Sequence, residues 1–75
     1  MKLLSKDILR EYGFFDDITK SNTLVEVMTR EGFDILIKEG GLFFYSNLGI
    51  DYPLKDLTNL RKVFKEVKRK DLTPF

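Results

Sequence analysis

From Thr23 the chain takes on a period of two, through Leu24 Val25 Glu26 Val27 Met28 Thr29, then Phe33 Asp34 Ile35 Leu36 Ile37 Lys38, then Leu42 Phe43 Phe44 Tyr45 Ser46. That period, with its β-branched and aromatic content, predicts three successive antiparallel strands. The flanks are spaced for helices instead. Ser5 to Gly13 reads as a short helix with Ser5 as N-cap, Ile8, Leu9 and Tyr12 as its apolar face, and Gly13 as the left-handed residue that ends it. Two turns do not hold alone, so this helix must dock, with Phe14 and Phe15 folding back on it. Asp16 to Asn22 is a polar connector with Ile18 as an anchor. Near the other end, Leu54, Leu57, Leu60, Val63, Phe64 and Val67 recur at spacings of three and four, a stripe for packing on a sheet. Pro53 is placed in the first turn of this second helix, which runs to about Lys70.

The turns set which face each strand buries. Arg30, Glu31 and Gly32 as a three-residue loop would pair Thr29 with Phe33, Val27 with Ile35 and Val25 with Ile37, gathering the most apolar residues on one face. A two-residue loop at Glu31 and Gly32 would pair Val27 with Leu36 and Val25 with Lys38, and set Ile35 and Ile37 opposite Met28 and Glu26. The three-residue loop is preferred. Gly40 and Gly41 accept the positive φ of a tight turn. Pairing Ile37 with Phe44 puts Phe44 in the core and leaves Phe43 and Tyr45 outside, beside Leu36 and Met28; including Glu39 in the loop exchanges Phe43 and Phe44. The sum is an α+β two-layer sandwich, helix, three-stranded meander, helix (αβββα), with both helices on one sheet face.

At 75 residues there is room for one domain, spanning residues 1–75, and its core is small. Residues 71–75 are expected to fray, since Pro74 cannot continue a helix. The chain has no Cys and no His, which removes thiol nucleophiles, thiolate ligands and the commonest catalytic base. Asp16 and Asp17 are adjacent acids in a polar connector and read as turn residues, and Gly40–Gly41 lacks the Lys and Ser/Thr of a phosphate-binding loop. No catalytic residue, metal site or cofactor is expected, and the chain reads as a non-enzyme. Charge interrupts the N-terminus before a signal-peptide core can form, and no apolar run approaches the ~20 residues of a membrane span. The expected location is cytoplasmic.

Three surfaces are candidates for binding. The first is the outer sheet face, Met28, Leu36, Phe43 and Tyr45, an apolar patch rimmed by Glu26, Asp34 and Lys38 that suits a protein partner or a second copy of the chain, unless the connector folds over it. The second is the segment 46–53, with Asn47, Asp51 and Tyr52, richer in specific residue types than a connector needs. The third is basic. Residues 1–60 carry seven basic and ten acidic side chains, net −3, whereas residues 61–75 carry six and two, net +4. Lys62, Lys65 and Arg69 share a helix face with Arg61 and Lys68 beside them, a set able to contact nucleic-acid phosphates or simply to oppose the helix dipole.

The order α-β-β-β-α resembles that of the double-stranded RNA-binding domain, but that family's basic cluster opens its last helix. Here the helix opens Pro53 Leu54 Lys55 Asp56 and its charge lies at the opposite end. The segment Phe44 Tyr45 Ser46 Asn47 Leu48 Gly49 Ile50 Asp51 Tyr52 Pro53 Leu54 Lys55 Asp56 Leu57 resembles one in short uncharacterised proteins of bacteria and their mobile elements. The segment carries no known catalytic motif; the resemblance implies no particular activity and favours a small accessory protein from a bacterium or phage over a fragment of a large enzyme. The expected function is therefore protein interaction, with nucleic-acid binding through the last helix as the alternative.

Overall fold

The computed structural model describes residues 3–74. Its elements are α1 (Lys6–Glu11), β1 (Phe15–Asp16), β2 (Glu26–Arg30), β3 (Phe33–Lys38), β4 (Leu42–Asn47), β5 (Ile50–Leu54) and α2 (Leu57–Lys68). The five strands form one antiparallel sheet in the order β1-β2-β3-β4-β5. Residues of both helices join a single buried cluster: Leu9 from α1 and Leu60 and Phe64 from α2 meet Met28, Phe33, Ile35, Tyr45 and Leu54. The α+β class holds, but the meander has five strands rather than three, so the order of the double-stranded RNA-binding domain is not reproduced.

α1 follows the expectation closely. The Ser5 hydroxyl accepts from Ile8 N at 3.2 Å, and the helix ends with Gly13 at φ +83°. Phe14 N donates to Leu9 O at 2.9 Å and Gly13 N to Arg10 O at 3.0 Å, the paired bonds of a Schellman ending. This fold-back buries Phe14, whereas Phe15 points outward.

Both hairpins differ from the preferred registers, and the difference decides which residues are inside. Glu31 and Gly32 both take left-handed φ, +52° and +80°, making a two-residue turn that pairs Arg30 with Phe33 and Met28 with Ile35. At the second hairpin Glu39 joins Gly40 and Gly41 in a three-residue loop, so Ile37 pairs with Phe43 and Ile35 with Tyr45. Each one-residue change sends alternate side chains to the opposite face. Met28, Phe43 and Tyr45 consequently face the helices with Ile35 and Ile37, while Val27, Leu36 and Phe44 take the outer face.

The segment 50–54, expected to lead into a helix, is instead β5. Proline has no N–H to exchange, so the Phe44–Pro53 pair has to be of the non-hydrogen-bonded kind. The alternation then makes Asn47–Ile50, Tyr45–Tyr52 and Phe43–Leu54 the bonded pairs and turns the backbone of Asp51 and Pro53 outward. Pro53 is tolerated because β5 ends the sheet. α2 begins at Leu57, four residues after Pro53, with Asp56 as N-cap; its carboxylate accepts from Asn59 N at 2.8 Å and the Asn59 side chain accepts from Lys55 N at 3.1 Å.

The C-terminal segment, expected to fray, makes contacts with the rest of the fold through Thr73. Leu72 is 1% exposed in the main core, Arg30 donates to Thr73 O at 3.0 Å and to Tyr12 O at 2.6 Å, and Lys70 pairs with Glu31. An apolar anchor two residues before Pro74 outweighs the helix break. Phe75 lies outside the described residues.

Candidate functional site

Of the four residues expected to form an outer-face patch, only Leu36 lies there, and it is half-buried. Met28 is fully buried, Tyr45 nearly so, and Phe43 packs against the same core. The outer face is also partly covered by the connector, though not through Phe15 or Ile18, which remain exposed. Its polar groups do the covering. Asp17 N donates to Val27 O at 2.8 Å, Val27 N donates to the Ser21 hydroxyl at 2.9 Å, and Lys20 reaches Asp34 at 2.8 Å. The Asp17 carboxylate accepts from the Thr19 hydroxyl at 2.6 Å and from the Thr19 and Lys20 amides, and the Thr19 bond is the main reason its pKa is lowered. Asp16 sits 3.5 Å from Arg10. Both acids thus have structural partners. Val27 and Thr29 of this face are buried.

Further along the same face, the Lys38 ammonium lies 4.6 Å from the Phe44 ring centre and 2.6 Å from the Asp51 carboxylate. Asp51, expected as a loop ligand, is therefore a strand residue engaged in an ion pair over Phe44.

An apolar and open surface lies at the opposite side of the β4–β5 hairpin, where its tip and the β5 edge meet α2. Leu48 is 92% exposed, Ile50 55%, Tyr52 45% and Val67 41%. Ile50 and Tyr52 share a strand face by alternation, and Tyr52 lies over Tyr45 with ring centres 6.0 Å apart. Between this strand and the helix is a groove of about 230 Å³, lined by Tyr45, Asn47, Tyr52, Val63, Glu66 and Val67. Burial, then the charges of Tyr52 and Asp34, raise the pKa of Tyr45, so its phenol stays neutral in the groove floor. Asn47 and Tyr52 from the expected loop set belong to this groove. Leu48, Ile50 and Val67 were not anticipated as site residues; the signal was the Leu48–Gly49 pair, whose turn geometry becomes legible once β5 is seen to be a strand.

Leu48 has a second unusual property. With Gly49 it forms a two-residue turn, with φ +52° at Leu48 and +78° at Gly49. Glycine and asparagine suit the first position of such a turn, whereas leucine is strained there by roughly 1 kcal/mol or more.

Four of the five basic residues, Arg61, Lys62, Lys65 and Lys68, lie on α2, whereas Arg69, expected within a helix running to about Lys70, is its left-handed cap at φ +62°. Lys65 is 3.3 Å from Asp71, and Lys68 approaches the Gly32 turn. Arg61, Lys62 and Arg69 have no ion-pair partner among the described residues, although six other cations of the chain, Lys6, Arg10, Lys20, Arg30, Lys38 and Lys70, do. Lys62, Lys65 and Arg69 border a shallow open depression together with Glu66, the residue that also lines the apolar groove. The two surfaces therefore adjoin at Glu66.

Comparison with models of known families, with curated proteins and with solved structures found no match. Among the described residues no helix is long and apolar enough to cross a membrane.

Proposed function

We propose that this chain is a small non-enzymatic protein-docking module, an accessory factor of bacterial or phage type, which binds its partner through the rim formed by Leu48, Ile50, Tyr52 and Val67. One observation carries the reading: a leucine 92% exposed to solvent occupies a left-handed turn position where its side chain contributes little to packing and its backbone is strained. A strained backbone that nothing in the core requires points to a role for the side chain outside the fold. The neighbouring Ile50, Tyr52 and Val67 supply the apolar and aromatic surface common at interface centres.

Docking on this rim proceeds through side chains. Asp51 offers the single outward N–H of β5, since Pro53 has none, and just past the strand Leu3 pairs with Asp56. Both features blunt the edge against strand addition. They also weigh against a second copy joining β5 to β5; the partner proposed is a different protein.

Selection from a random peptide display library tests the reading, with the wild type as target and a Leu48→Asn, Val67→Ser double variant as counter-target. Clones that bind the wild type and lose the variant support it. Enriched clones that bind both equally would place docking elsewhere.

A further inference from the structure

Resting on that docking rim, we infer that its partner is a protein segment carrying an apolar anchor next to acidic side chains, the anchor filling the Tyr52–Val67 groove and the acids meeting Lys62 and Arg69. Two adjoining surfaces of opposite character make this case. The groove is walled by Val63 and Val67 and floored by the two tyrosine rings, a lining that takes up an aliphatic or aromatic side chain. Immediately beyond Glu66 lie Lys62 and Lys65 of α2 with Arg69, the residue that caps it.

Two of the three cations on that face are uncompensated among the described residues, since Lys65 alone pairs with a carboxylate, that of Asp71. Lys6, Arg10, Lys20, Arg30, Lys38 and Lys70 are matched to carboxylates, whereas Lys62 and Arg69 have none within 4 Å among the described residues, and Arg61 and Lys68 beside them have none either. Complementary charge beside an apolar contact steers association and selects partners. A nucleic-acid strand fits less well, because Glu66 stands between the cations and the tyrosines and repels a phosphate passing from one to the other. The aliphatic walls of the groove likewise give a phosphate backbone nothing to bond. A protein segment satisfies both halves, with its acids confined to the basic side of Glu66.

Fluorescence anisotropy with four labelled probes tests the assignment: a short peptide pool of leucine, isoleucine and phenylalanine with aspartate and glutamate; the same apolar residues with lysine and arginine; serine and glycine with aspartate and glutamate; and a mixed-sequence single-stranded oligonucleotide. The acidic apolar pool is expected to bind tightest. Lys62→Glu should weaken it by roughly tenfold, with added salt eroding the wild-type advantage. Val67→Ser should weaken it at every salt concentration, and Leu48→Asn, at a side chain outside the core, gives the same information if Val67→Ser perturbs the helix. Tighter binding of the basic apolar pool would overturn the partner chemistry while leaving the rim as the docking surface. Equal binding of the acidic polar pool would remove the groove from the interaction, as would loss with Lys62→Glu but no loss with either rim variant, and in that case the rim itself fails. Binding of the oligonucleotide alone, or of no probe, would overturn the proposal.

Discussion

The rings of Phe33 and Tyr45 lie stacked on neighbouring strands, their centres 4.2 Å apart and their planes 12° from parallel. Phe64 from α2 closes on Phe33 at 5.1 Å, so two aromatic contacts through Phe33 join β3, β4 and the long helix. Tyr52 extends the stack beyond Tyr45 to the sheet edge, where its ring becomes half-exposed. The core and the rim are thus two ends of one aromatic row. This row sets how mutations should divide between stability and binding.

Tyr45 belongs to the folded core. Tyr45→Ala is expected to lower stability by about 3–5 kcal/mol, the range for removing a large buried ring, while Tyr45→Phe stays near the wild type because it keeps the stack. Urea denaturation followed by circular dichroism checks both. A Tyr45→Ala protein of unchanged midpoint would mean that the ring is not packed.

Leu72 ties the C-terminal segment to the core. Leu72→Ala should cost about 2–5 kcal/mol, and truncation after Asp71 at least as much, because it also removes the Thr73 carbonyl that accepts from Arg30. The comparison is made by thermal unfolding. A truncated chain as stable as the full one would show that the segment frays.

Stability should fall at both ends of the pH scale. Asp17, lowered from 3.8 mainly by the Thr19 hydroxyl, and Glu31, lowered from 4.5 mainly by Lys70, bind fewer protons folded than unfolded. Their contribution is present above those ordinary values and is lost as pH falls through the folded ones. Tyr45 acts oppositely: raised from 10.0 by burial, it contributes below pH 10 and loses that contribution as pH rises through its folded value. Urea midpoints across pH should trace this plateau. Thr19→Val should move the Asp17 titration, followed by NMR, back toward 3.8; an unmoved titration would contradict the assigned cause.

The helix cap is a local test. Asp56→Ala should cost about 0.5–2 kcal/mol and Asp56→Asn much less, since asparagine can still accept from Asn59 N. Equal losses in both variants would indicate that charge, rather than the hydrogen bond, holds the helix start.

Local signals were the legible part of this fold. Ser5, Gly13 and the spacing from Leu57 to Val67 are decided within a few residues, and the helices they predict are present. Strand facing is decided by one residue in each turn. Glu31 gives no side-chain sign that it will adopt a left-handed φ, so the two-residue turn competes evenly with the longer loop in sequence, and the outer-face patch inverted with it. β5 was hidden by Pro53, which suits a helix start as well as the last strand of a sheet. The expected site shared that fate: Asn47 and Tyr52 stand in the groove and four of the five basic residues line α2 with Arg69 capping it, but Met28, Phe43 and Tyr45 are core, and the rim leucine became visible only with the hairpin.

Leu48→Asn separates the docking claim from every structural role of that position. Asparagine takes the left-handed turn conformation more readily, so the variant should be about 0.5–1 kcal/mol more stable than the wild type while losing the peptides selected against the wild-type rim. A variant that keeps those peptides, or one that is destabilised because the leucine holds the fold, would contradict the assignment of this rim as the docking surface.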